Sequence, residues 1–402
     1  MPIFPLKLEY LPPFACRLLP VLLMGCLIAG IAGCGHFHPA PAESVYVTVK
    51  HVYLRDRVAV VANRVAEVTN GEKLEVLEHG RRFLKVKTPQ GAVGWIEDHA
   101  VIDQDEFNQF ENLAKEHAKE TPVANAVLYN ELYIHLEPGR KTQRFYLLPP
   151  NTKVALLERA SVPRNPEGNV LGLPITPAKP PTKPPVKHGK KAHPQSFDSR
   201  FAPPVPMEDW WLVRDTTGRT GWMLSRDLEV DVPEEVAQYA ESEKMIGAYV
   251  LRTVDDPGSG KPNGKVPEYL TVLTSYKQGM PYDFDQVRVF TWDTYRHRYG
   301  TAFRLRDIAG FFPVKVNPDN NGGPNGPQPT FSIQVAAGDA VSLDPQTGKA
   351  HAAQLETMTF KMEGNLVRRV LPPGAQPAKS EHPAKVPHRS SPHRTLHRHH
   401  QR

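Results

Sequence analysis

Few residues in this chain are placed to do chemistry. Its three thiols, Cys16, Cys26 and Cys34, all lie before residue 35 of 402, so everything downstream lacks cysteine. Downstream of residue 34, cysteine nucleophiles, cysteine-ligated zinc and disulfide bracing are therefore excluded. The run Gly258-Ser259-Gly260-Lys261 invites comparison with a phosphate-binding loop, which needs an earlier glycine and a Ser or Thr after the lysine. Asp255 and Pro262 stand at those places, so the segment reads as a turn. No His-Glu-x-x-His pair, Gly-x-Ser-x-Gly elbow or EF-hand loop occurs. His393, His397, His399 and His400 offer imidazoles near the end of the chain, but a tail has nothing to orient them as metal ligands. No cofactor or defined metal site is implied, and the expectation is a protein that binds rather than catalyses.

The elements around Cys34 specify its chemistry. Lys7 and Arg17 precede an apolar run at 18–33, which ends in Ile31-Ala32-Gly33 before the cysteine. That is the layout of an export signal. It resembles the lipobox of bacterial lipoproteins, which implies acylation of Cys34, removal of residues 1–33 and a lipid anchor facing the periplasm from the outer membrane. Gly35 in place of aspartate resembles outer-membrane sorting. The rival reading is an uncleaved anchor, which wants roughly 20 apolar residues. Export also makes nucleic acid an improbable partner. The formal charge of +6 is concentrated in two basic segments and suits an anionic surface.

After a linker at 34–44, strand and turn signals alternate from 45 to 103. Leu74 with Val76, and Leu84 with Val86, show the two-residue period of half-buried strands. Leu54-Arg55, NGEKLEVLE and Gly91-Ala92-Val93-Gly94-Trp95-Ile96 resemble the bacterial SH3-like (SH3b) domain. The resemblance implies a small β-barrel acting as a recognition module. The pattern then repeats at 122–230: Leu54 and Leu74 match Ile134 and Val154, and the Gly-x-x-Gly-Trp ending returns as Gly218 to Trp222. Residues 163–206, rich in Pro and Lys, have no counterpart in the first copy. They read as a solvated insertion, either a basic arm that touches anionic cell-wall polymer or lipid headgroups or a tolerated surface loop. Helical signals at 104–121 and 231–244 follow the two copies, and each is expected to pack on the barrel just completed. In the first, Phe107, Phe110, Leu113, Ala114 and Ala118 form one stripe.

From 245 to 372 strand signals resume without a recognisable family, and a sandwich and an open meander both fit. Tyr299, Thr301, Phe303 and Leu305 alternate as one face of a hairpin with Val287 and Val289. Residues 373–402 are basic, His-rich and expected to be disordered. The chain thus reads as mainly β: two SH3-like barrels each followed by a short helix, then an antiparallel β domain. The candidate binding residues are aromatic or cationic. Trp95 and Trp222 serve either the barrel core or a groove rim, and Arg55 suits a local ion pair or a ligand carboxylate. Tyr53, Tyr133, Trp210 and Trp211 are candidates for exposure, because adjacent strand residues point to opposite faces. One of Trp210 and Trp211 should face outward unless another domain covers it. The leading expectation is an envelope lipoprotein binding peptidoglycan or a protein partner. An assembly factor centred on the last domain and, more remotely, a hydrolase are the alternatives.

Overall fold

The computed structural model describes residues 43–165, 206–318, 328–338 and 340–371. The leader with Cys34, nearly all of the insertion and the basic tail lie outside them. The chain is mainly β and built from antiparallel sheets, with two α-helices among the described residues.

The first module comprises β1 (Ser44–Val47), β2 (His51–Arg55), β3 (Arg64–Thr69), β4 (Lys73–His79), β5 (Phe83–Lys87), β6 (Val93–Glu97) and β7 (Val101–Asp103). They form one antiparallel sheet in the order β3-β2-β6-β5-β4-β1-β7. Val45 and Val47, Leu54, Val68, Leu74, Leu84 with Val86, and Ile96 come from six successive strands yet share one buried cluster. A flat sheet could not bring its outer strands together in this way, so the sheet curls around its apolar face. The glycines of the Gly-x-x-Gly-Trp ending make the curl possible. Gly91 adopts φ +91°, a left-handed turn conformation. A Cβ on Gly94 would lie 2.8 Å from the Leu54 Cβ, so glycine is what lets β6 cross β2.

Next comes α1 (Gln104–Glu116), capped by the Asp103 carboxylate, which accepts from the Glu106 amide at 2.7 Å. The second module follows with β8 (Ala124–Leu128), β9 (Leu132–His135), β10 (Arg144–Leu148), β11 (Lys153–Pro163), β12 (Met207–Asp215), β13 (Thr220–Leu224) and β14 (Leu228–Val230). Its order, β10-β9-β13-β12-β11-β8-β14, is the first module's order displaced by seven strands. Gly218 at φ +93° and Gly221, whose Cβ would sit 2.2 Å from the Ile134 Cγ2, repeat the two glycine roles. The β11–β12 ladder continues to Pro163 opposite Met207, so the intervening residues leave and re-enter at one hairpin end.

The helices do not pack as expected. Through Phe107 α1 stacks on Tyr46 of the first module at 3.8 Å between centroids, while Phe110 meets Phe145 of the second at 5.7 Å. It is a wedge between modules rather than a cover for the first, because its apolar stripe is wide enough to serve two neighbours. The second connector is shorter than its pattern implies. Pro233 caps a four-residue helix, α2 (Glu234–Ala237), which is followed by a 3-10 turn and by Glu241 at φ +61°. Val236, Tyr239 and Ala240 pack forward onto the third module, not back onto the second.

That third module is a sandwich. One sheet runs β15 (Lys244–Asp255), β16 (Lys265–Thr274), β17 (Gln286–Asp293), β18 (Arg298–Leu305). The other contains β19 (Gly310–Asn317), β20 (Thr330–Ala336), β23 (Leu355–Glu363) and β24 (Leu366–Val370), with β21 (Val341–Leu343) and β22 (Ala350–Ala352) paired separately. Leu270, Val272, Val287 and Val289 from the first sheet share a core with Phe331, Ile333, Phe360 and Met362 from the second. The expected single face on β18 is split by a bulge, since Val289 pairs with Phe303 but Phe290 with Thr301. Phe303 and Leu305 consequently face the sandwich interior, while Tyr299 joins the cluster beneath α2.

Candidate functional site

The two modules match in backbone and differ on one face. On the first, the Tyr53 ring is half-buried under the Arg64 guanidinium, 4.2 Å from the ring centroid. On the second, Arg144 lies 4.5 Å above Tyr133 in the same relation. Both tyrosines were legible candidates. Their arginine partners were not singled out, although they share the offset that relates Leu54 to Ile134.

The equivalence ends at the tryptophans. Trp95 is half-buried, and its cross-strand neighbour is Lys85, whose ammonium lies 5.9 Å above the indole. Trp222 stands opposite Leu212 and is 6% exposed. Phe83 and Glu97, the next pair in the first module, correspond to Trp210 and Leu224 in the second. The second module's outer face is therefore apolar, and Leu113 of α1 packs on it with Leu157, Ala160, Trp210, Leu212 and Trp222. At its edge Ser161 donates to the Gly348 carbonyl at 2.8 Å, bringing up the third module. The expected partial exposure of Trp210 and Trp211 is corrected on this ground, and the exception allowed for, a cover over the outward one, is what the structure shows. The two side chains do point to opposite faces, but Trp211 fills the barrel core and Trp210 lies under the helical wedge, at 2% and 3% exposure.

What remains open is a cleft on the first module, about 600 Å³, lined by Arg57, Val58, Gly80, Arg81, Arg82, Phe83 and Trp95. Gly80 keeps its floor clear, because a Cβ there would come 3.2 Å from the Trp95 ring. Arg55 is exposed, and its backbone pairs with that of Trp95. Of the cleft's arginines Arg57 meets Asp56 at 3.7 Å, whereas Arg81 and Arg82, like Arg55 beside them, have no ion-pair partner among the described residues, so the cleft's positive charge is neutralised only in part. Asp56, besides meeting Arg57, accepts from the Asn63 side-chain amide and backbone N–H, each at 2.9 Å. The Asn63 side chain above all holds it below the usual carboxylate range. An aromatic floor under unpaired guanidinium groups can hold an anionic, partly apolar ligand by stacking and charge together. The sequence reading found Trp95 and Arg55 but missed Arg57, Arg81, Arg82 and Phe83. The available signal was the run Gly80-Arg81-Arg82-Phe83 opposite the tryptophan strand.

A larger space, about 810 Å³, lies in the third module among Glu241, Glu243, Asp285, Arg288, Arg306 and Asp307. Burial pushes Asp285 up, and Glu243 and Asp307 add to the effect. Its guanidinium groups are internally satisfied, with Arg288 bonded to Gln286 at 2.6 Å, the Tyr239 carbonyl at 2.5 Å and Glu241 at 3.3 Å. Among the described residues no cluster of three His, Cys, Asp or Glu is arranged to hold a metal, and no helix is long and apolar enough to cross a membrane.

No protein-family model matches the chain, and no curated protein matches it. Among solved structures, NlpC2 from Trichomonas vaginalis is 11% identical, with 50% of this chain and 54% of that one covered and a TM-score of 0.14. An NlpC/P60 family protein from Bacillus cereus is 10% identical over 48% of this chain and 57% of that one, with a TM-score of 0.21. NlpC1 from Trichomonas vaginalis is 9% identical over 66% and 93%, with a TM-score of 0.14. The chain spans a little over half the length of the first two. At such scores these likenesses say nothing about this chain's activity.

Proposed function

We propose that the chain is a non-enzymatic cell-envelope lipoprotein, tethered to the outer membrane through an acylated Cys34 and facing the periplasm, whose first SH3-like module binds an anionic envelope component, peptidoglycan foremost. The observation carrying this reading is the contrast between paired tryptophans: Trp95 lies open beside unpaired arginines, whereas Trp222 is sealed beneath α1. Muropeptide stems present carboxylates to the guanidinium groups and sugar faces to the indole, a combination that the cleft's chemistry suits. The second and third modules then act as a rigid mount. A protein partner bearing an acidic, aromatic-tolerant segment is the other occupant of the same chemical class of site.

The soluble chain from Gly35 onward, mixed with purified sacculi at moderate salt, tests this reading. Wild type is expected in the pellet, and Trp95→Ala or a paired Arg81→Glu/Arg82→Glu change is expected to reduce pelleting at least tenfold with the melting temperature nearly unchanged. Trp222→Ala instead removes a core side chain and should cost about 3–5 kcal/mol of stability. Pelleting that is absent in wild type, or indifferent to the cleft variants, rejects the reading.

A further inference from the structure

Beside the cleft, residues 56–63 join β2 to β3 in a loop whose base is clasped and whose tip is apolar. The clasp has three bonds: the Asp56 amide donates to the Asn63 carbonyl at 3.1 Å, and Asn63 returns two bonds to the Asp56 carboxylate. Beyond it the chain reads Val58-Ala59-Val60-Val61-Ala62. Val60 is 101% exposed, Val61 80% and Val58 50%. Single exposed apolar residues are ordinary, but three on one clasped tip are not. The fold does not require them. The equivalent connection in the second module, between β9 and β10, reads Leu136-Glu137-Pro138-Gly139-Arg140-Lys141-Thr142-Gln143, and its Arg140 is held by Glu208 at 2.6 Å.

We infer that the Val58–Val61 tip, ringed by Arg55, Arg57, Arg64, Arg81 and Arg82, is a bilayer contact that seats in the interface of an anionic lipid membrane. Three observations favour lipid over a folded partner. Val60 is fully exposed, so no described residue forms a concave wall around it, and a convex tip of short branched side chains suits a medium that yields. The surrounding charge is positive on balance, as suits a surface of phosphate headgroups: Arg57 meets Asp56 at 3.7 Å, while Arg55, Arg64, Arg81 and Arg82 have no carboxylate partner among the described residues. The described chain begins at residue 43, nine residues after Cys34, a tether of at most about 30 Å. An acylated Cys34 would thus hold this module near the bilayer, and one lipid signal combined with a cationic patch gives the two attachments that stable anchoring takes. The contact goes beyond the proposed function: it shares the envelope setting, but its ligand is lipid, and Val60 and Val61 do not line the cleft.

The chain from Gly35 has no cysteine, so Val60→Cys carries a single environment-sensitive fluorophore. With vesicles of phosphatidylglycerol and phosphatidylethanolamine, the label at 60 should shift to the blue, and a label at Glu137→Cys should not. In flotation the unlabelled chain should rise with these vesicles and not with phosphatidylcholine. Val60→Asp/Val61→Asp should lower the floating fraction at least tenfold while leaving the melting temperature and sacculus pelleting as they were. An unshifted label, or flotation indifferent to the valine variant, overturns the inference and leaves the cleft reading intact. Pelleting that falls with the valine variant while flotation does not also overturns it, and assigns the tip to cell-wall polymer. Loss of pelleting in Trp95→Ala with flotation retained supports two separate contacts.

Discussion

Trp95 and Trp222 occupy the same place in the same motif, and one cross-strand neighbour separates their fates. Lys85 beside Trp95 keeps that face hydrated, whereas Leu212 beside Trp222 invites a cover. His135 shows what the cover does to a titrating group. Its ring meets Trp210 edge to face at 5.1 Å, and its Nδ1 lies 3.0 Å from the Thr142 hydroxyl. Burial, with Arg144 nearby, pulls its pKa from 6.5 down to about 4. In the unfolded chain His135 takes up a proton near 6.5, but in the folded chain it resists until about 4, so the unfolded state binds more protons across that window. Stability is therefore fully present above 6.5 and is lost as pH falls toward 4, by on the order of 3 kcal/mol. Urea midpoints at pH 7 and 4.5 should show this loss in wild type and a smaller one in His135→Gln. Equal slopes in the two proteins would remove His135 from the account.

Among the elements, the turn at Asn70-Gly71 does more than reverse the chain. The Asn70 side chain donates to the Thr48 carbonyl at 2.7 Å and, across the module boundary, to the Phe145 carbonyl at 2.8 Å; it accepts from the Leu147 amide at 2.9 Å. The turn from β3 to β4 is thus also a clamp on β10, working beside the Tyr46–Phe107 stack. Asn70→Ala leaves a carbonyl and an amide of β10 unpaired and should cost about 1–3 kcal/mol. Amide exchange should report faster opening of the first module with little change in the third. Protection unchanged across the boundary would show that α1 alone couples the modules. The turn itself was readable from Asn-Gly, because it is a local conformational preference. The clamp was not, because its acceptor lies 75 positions away.

For the whole molecule, Arg159 joins the second module to the third. Its guanidinium is nearly buried and donates to Ser161 at 3.0 Å and to the carbonyls of Met280, at 2.7 Å, and Tyr282. It also meets Asp209 at 3.2 Å and Asp283 at 3.3 Å. Burial pushes the Asp283 carboxyl up, against the pull of Arg159. The Tyr249 hydroxyl adds a bond to the Val123 carbonyl at 2.6 Å. Breaking such a buried pair from one side costs about 3–5 kcal/mol, since the carboxylates stay buried without their counter-charge. Calorimetry of Arg159→Met should accordingly show the third module melting separately and earlier. A single transition at the wild-type temperature would mean that apolar packing holds the boundary by itself.

The mainly β character, the strand periods at Leu74–Val76 and Leu84–Val86, and the turn at Asn70-Gly71 were determined by the sequence alone, as was the absence of thiols after Cys34. Each depends on neighbours a few positions apart, where side-chain period and backbone preference act directly. Even the two glycine roles in Gly-x-x-Gly-Trp could be found from the repeat, though not why Gly94 must be bare until β2 was seen crossing it. Only the tertiary structure decided that α1 lies between modules, that α2 packs forward, that Trp210, Trp211 and Trp222 are buried while Trp95 is open, and that a clasp at Asp56 and Asn63 presents three valines to solvent. A helix stripe or an indole carries the same apolar area whichever surface it meets. Which surface it meets is set by groups tens to more than a hundred residues distant, whose arrangement exists only once the chain has closed on itself.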